Sequence, residues 1–142
     1  MLITLRAATH SDSAFLDSLV AQAKVLERLG GIGGAVDSPG FVRIVVADAG
    51  DAGVVGVVRS GAGSGDGFEL FCVIDERLRK RGCGSGACRL AIAEFRAAGA
   101  AERLLASVAP GNADAIELVT RLRFKLLPER RFNGDLLYAL AL

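Results

Sequence analysis

The feature that most restricts the fold is one compact succession in the middle of the chain. A mostly apolar run at 68–74 (Phe-Glu-Leu-Phe-Cys-Val-Ile) leads through a basic, glycine-rich turn into an alanine-rich stretch at 85–98, and a second apolar run follows at 104–108. The first run is too apolar for a strand with one wet face and reads as an interior strand covered on both sides. The second stretch carries Leu90, Ile92 and Phe95, with Gly99 where a helix stop is expected. Strand, helix and strand in so short a span imply two parallel strands joined by a right-handed crossover. The helix N-terminus then sits at the carboxyl end of those strands.

The flanks supply the remaining elements. Residues 2–6 alternate as a strand, and Thr9, His10, Ser11 and Asp12 form a capping cluster before a helical pattern through Phe15, Leu16, Leu19, Val20, Ala23, Leu26 and Leu29. Gly30-Gly31 stops that helix, or breaks it in two, and 30–40 and 60–67 are glycine-rich loops. Strands at 42–47 and 54–59 flank a hairpin turn at 48–53; a last helix spans 112–122, and strands at 124–127 and 136–140 close around Asn133-Gly134. A chain of 142 residues, 51% hydrophobic, buries enough surface for one domain spanning 1–142.

Charge and cysteine usage narrow the partners. Seventeen basic and 16 acidic residues leave a net charge of +1, so neither nucleic acid nor an anionic membrane is favoured. The three cysteines, Cys72, Cys83 and Cys88, are odd in number and lack metal-type spacing, which points to reduced thiols, a cytoplasmic setting and no metal. No apolar run approaches the ~20 residues of a membrane span, so a soluble protein is expected.

The turn Arg79-Lys80-Arg81-Gly82-Cys83-Gly84 carries the chemistry. A helix start exposes unpaired N–H groups and carries about half a positive charge, and glycines let a phosphate approach it closely. Three adjacent cations add charge-assisted contacts that a plain connecting turn does not need. The bland alternative is a solvated basic loop. A dinucleotide fingerprint also fits at 82–87, but it requires an apolar strand running straight into the first glycine, and 75–81 interrupts that strand. The Walker lysine pattern does not occur.

This turn resembles the Arg/Gln-x-x-Gly-x-Gly/Ala signature of the GNAT superfamily of N-acetyltransferases, and the order of strands and helices is similar over nearly the whole chain. The resemblance implies a mixed, mostly antiparallel α/β (α+β) sheet of six to seven strands with a central parallel pair and about four helices. It implies acetyl-CoA as co-substrate, with Arg79, Lys80, Arg81, Gly82, Cys83, Gly84 and Ser85 around the pyrophosphate. Val73 and Ile74 would bond the pantetheine arm, an N–H near Ile74 would face the thioester carbonyl, and Asn112 would contact the arm while capping its helix.

Amine attack needs a general base, and several members carry a glutamate on this strand, which makes Glu69 the candidate base or water relay. If its distance from Ile74 is one residue shorter than theirs, strand parity turns it to the other face unless a bulge intervenes. The family's tyrosine acid is replaced by Val119, leaving Tyr138, the only tyrosine, as a weak substitute; Arg123 stands where a glycine usually precedes the phenylalanine, here Phe124. Covalent catalysis by Cys83 or Cys88 lacks a partner base, since the single histidine, His10, lies far off in sequence. The expected reaction is acetyl transfer to a primary amine, of a small molecule or a peptide, by direct attack in a ternary complex. An inactive coenzyme-A-binding sensor or scaffold is the alternative, and a homodimer through the last strands is open.

Overall fold

The computed structural model describes residues 1–25, 39–59, 67–79, 81–131 and 134–142. Among them, seven strands form one sheet: β1 (Ile3–Ala7), β2 (Phe41–Ala47), β3 (Gly50–Arg59), β4 (Phe68–Ile74), β5 (Arg103–Val108), β6 (Lys125–Arg130) and β7 (Leu136–Ala141). Their spatial order is β1-β2-β3-β4-β5-β7-β6. Three α-helices accompany them, α1 (Ser13–Val25), α2 (Cys83–Ala98) and α3 (Ala113–Arg121), with short 3-10 turns at His10–Asp12 and Glu76–Leu78. The mixed α/β class and the single parallel pair agree with expectation, and three of the roughly four expected helices lie among the described residues. The expected run of the first helix to Leu29, and its break, fall outside the described residues.

Side-chain alternation along β4 divides the core. Phe68, Leu70 and Cys72 face α2, where Ala87, Cys88, Ala91, Ile92 and Phe95 make its buried stripe. The alanines and Cys88 keep the helix close to the sheet, and Phe95 fills the space beside Phe68, with ring centroids 5.4 Å apart. Phe71 and Val73 face the other way and pack with Val54, Val58 and Leu19 of α1. Six of the seven residues of β4 are buried, as its mostly apolar sequence implies.

All neighbouring strands are antiparallel except β4 and β5, whose parallel ladder pairs only Phe68 with Leu104 and Glu69 with Leu105. Beyond Glu69 the two strands run apart, opening a gap toward their carboxyl ends. Three boundaries differ from expectation by two or more residues, one of them the end of β6, which runs to Arg130 instead of stopping at 127. The 48–53 stretch is not all turn: β3 begins at Gly50, and a bulge opposite Val45 and Val46 absorbs the extra residue. Helix α2 starts at Cys83, two residues before the expected 85.

Candidate active site

Strand β4 ends at Ile74 and is followed by Asp75, whose buried carboxylate accepts from the backbone N–H (3.1 Å) and guanidinium (3.2 and 2.9 Å) of Arg77 and so starts the 3-10 turn. The Arg77 bonds hold the Asp75 carboxyl below its ordinary range. The chain then reaches Gly82, which takes φ 83 and ψ 2 as the residue before α2. Only glycine adopts this left-handed geometry without penalty. Gly82 offers no side chain to cap the helix, and the first N–H groups of α2 have no partner within it. The earliest bond into the helix backbone runs from Gly86 N–H to Gly82 O (3.0 Å).

That helix start opens into a cleft of about 470 Å³. Ile74, Leu78, Arg79, Gly82, Gly84 and Ser85 line one side, and Asp114, Glu117, Leu118 and Arg121 of α3 line the other. A Cβ added at Gly84 would stand 3.7 Å from Ile74 and 3.9 Å from Leu118, so this glycine keeps the passage between the two walls wide. The half-buried Arg79 donates from Nε to Ile74 O at 3.2 Å, whereas Arg81 is exposed. Lys80 lies outside the described residues.

The orientation of the Ile74 backbone follows from the β3–β4 ladder. Antiparallel pairs alternate between bonded and non-bonded classes. Asp75 N–H donates to Ala52 O at 2.8 Å, so the next pair, Gly53 with Ile74, belongs to the non-bonded class. The Ile74 N–H and C=O therefore point away from β3, into the gap where β4 and β5 part. Val73 belongs to the bonded class and faces Val54 instead.

Glu69 projects from the α1 face at the point where the parallel ladder ends. Its carboxylate pairs with Arg131, the two side chains being 11% and 14% exposed, and accepts from Ser107 Oγ. Arg131 Nε in turn donates to Ser107 Oγ at 2.9 Å. The turn after β6 holds Arg131 in place, through Arg131 N–H to Asp135 O (3.1 Å) and Gly134 N–H to Arg131 O (2.8 Å). Neither Ser107 nor Arg131 was expected from sequence; each meets Glu69 only because β4, β5 and the last hairpin converge.

The model of the acetyltransferase (GNAT) family matches residues 14–124, from α1 to the start of β6. The chain belongs to the GNAT acetyltransferase family. No curated protein matches it in sequence. Among solved structures, an acetyltransferase from Agrobacterium tumefaciens shares the fold with a TM-score of 0.78 at 18% identity, covering 99% of this chain and 91% of that one. A ribosomal-protein-alanine N-acetyltransferase from Brucella melitensis gives 0.76 at 18% identity over 100% of both chains. The protein yncA of Salmonella typhimurium, solved with its cofactor acetyl-CoA, gives 0.74 at 16% identity, covering 99% and 94%. The hairpin that carries Arg131 lies beyond the span matched by the GNAT model.

The remaining GNAT positions sort by burial. Asn112 is 2% exposed and its Oδ1 accepts from Ala115 N–H at 2.9 Å, capping α3 at the cleft wall. Val119 is fully buried, and Tyr138 packs in the same core on the α2 side of the sheet, outside the cleft lining and on the face opposite Glu69. Arg123 takes the usual glycine's place at φ 73, and Phe124 N–H still reaches Val119 O at 2.9 Å to finish α3. The cysteines point away from nucleophilic chemistry. Burial raises the Cys83 thiol above its ordinary value, and Cys88, fully buried beside Cys72, is raised further by that neighbour and by desolvation. Among the described residues no helix is long and apolar enough to cross a membrane.

Proposed function

We propose that the protein transfers an acetyl group from acetyl-CoA to a primary amine by direct attack within a ternary complex. The observation that carries this reading is the start of α2: a left-handed glycine without a capping side chain, opening into a cleft that Arg79 shares. An anion satisfies such a helix end as a side-chain cap would. The backbone of 81–85 holds the diphosphate, with Arg79, Lys80 and Arg81 supplying cations, while Ile74 and Val73 meet the pantetheine arm alongside Asn112.

The thioester of acetyl-CoA supplies the activated acetyl group. The Ile74 N–H, aimed into the β4–β5 gap, receives the carbonyl oxygen as it gains negative charge, an effect on the order of 3 kcal/mol for one well-placed donor. Glu69 accepts the proton of the attacking amine. Five residues along a strand span roughly 16 Å, so the proton reaches Glu69 through water rather than directly. Ser107 and Arg131 hold the carboxylate at the end of that path. Tyr138 has no role in this scheme; the thiolate takes its proton from solvent.

The test is thiol release from acetyl-CoA by the purified protein against a panel of small-molecule and peptide amines. At least one amine is expected to release coenzyme A in proportion to acetylated product. Saturable binding of acetyl-CoA with no release by any amine would instead support a binding module that senses or scaffolds.

A further inference from the structure

The α3 wall of the cleft is more acidic than a site for a polyanion needs. Asp114 and Glu117 both line it, facing the turn that takes the diphosphate. Coenzyme A carries a second anionic group, the 3′-phosphate on its ribose, so this wall requires a cation of its own. Arg121 is that cation among the lining residues of α3.

Its position along the helix fits the order of groups in the ligand. Leu118 lies opposite Gly84, since a Cβ there would meet its Cδ2 at 3.9 Å. Arg121 follows three residues later on the same helix face, ~4.5 Å farther along the axis and away from Asn112 at the strand end. With the thioester near Ile74 and the diphosphate at 82–85, the ribose lies on this outer side. Arg121 Nη2 is held at 2.7 Å by Glu117, and both side chains are more than half exposed (54% and 67%). An exposed pair one turn apart is weak and exchanges readily for a phosphate.

We infer that Arg121 reads the 3′-phosphate of coenzyme A, and that Glu117 holds its guanidinium at the rim of the cleft until the phosphate replaces it. The inference rests on the acetyl-CoA reading above. It makes Arg121 a specificity residue and Glu117 a competitor for the same cation.

Titration calorimetry with coenzyme A and 3′-dephospho-coenzyme A tests it on the intact chain. The unaltered protein is expected to prefer coenzyme A by about fivefold, the size of one partly exposed charge contact. Arg121→Gln lowers the coenzyme A affinity to that of the dephospho form and leaves the latter unchanged, which also shows that the variant is folded. Glu117→Gln raises the affinity for coenzyme A by more than it raises that for the dephospho form. Equal affinities in the unaltered protein, or an Arg121→Gln variant that weakens both ligands alike, would overturn the assignment while leaving the cleft as the binding site. Failure of both ligands to bind would bring down the acetyl-CoA reading itself.

Discussion

Two helices begin at opposite walls of the same cleft, and they begin differently. At α3 the chain satisfies its own backbone, with Asn112 Oδ1 bonded to Ala115 N–H and almost no exposed surface. At α2 the corresponding position is Gly82, which brings flexibility but no acceptor. The 3-10 turn that precedes α1 is also closed by its own side chain: Asp12 Oδ2 accepts from Thr9 N–H at 2.8 Å, and Arg6 clamps the carboxylate. A helix end left uncapped beside a self-capped one can take an anion where the other takes a side chain.

The largest effect should come from closing the open end. Gly82→Val forces a β-branched residue into φ 83 and reshapes the turn, and coenzyme A affinity is expected to fall at least tenfold by calorimetry while circular dichroism stays native. At the self-capped end the loss falls on stability instead. Asn112→Ala should cost about 1 kcal/mol in denaturant unfolding, with a smaller change in coenzyme A affinity. Relief of strain at the far end of the same helix sharpens the contrast. Arg123 sits at φ 73 where α3 closes, so Arg123→Gly should stabilise the protein by about 0.5–1 kcal/mol and leave ligand binding unchanged.

The smallest effect belongs to the screened, partly exposed cluster before α1. Hydrogen bonds from the Arg6 side chain, and then from Thr9, hold Asp12 at about 2 instead of 3.8. Its folded value is depressed, so its contribution is present above pH ~4 and is lost as the pH falls from there toward 2. Asp12→Asn should flatten that part of the stability curve in acid titrations followed by fluorescence or circular dichroism, and should leave the midpoint of ligand binding alone.

Local signals made the centre of the molecule readable. The apolar run of β4, the glycines of the turn, Asn112 as a cap and Arg123 in a glycine's place each express their meaning within a few residues of sequence. The structure shows β4 as a buried strand, Gly82 in the left-handed turn before α2, Asn112 capping α3 and Arg123 at φ 73 in a glycine's place. The start of β3 was obscured because Gly50, Asp51 and Gly53 carry turn chemistry yet lie on a bulged strand. Ser107 and Arg131 were invisible for a different reason: their contacts with Glu69 cross 38 and 62 residues, and no local pattern encodes that convergence. Strand parity puts Glu69 on the α1 face, opposite the Ile74 side chain. Side chains leave a sheet through its faces, whereas the Ile74 N–H lies in its plane, so the two groups need not share a face to serve one gap.

The contrast between the helix ends can be read directly from backbone amides. In a titration of the uniformly labelled protein with coenzyme A, followed by two-dimensional proton–nitrogen NMR, the Cys83, Gly84 and Ser85 amides should shift strongly and saturably. The Ala115 amide, already bonded to Asn112, should move far less. Saturation of binding with the 83–85 amides unmoved would contradict the account.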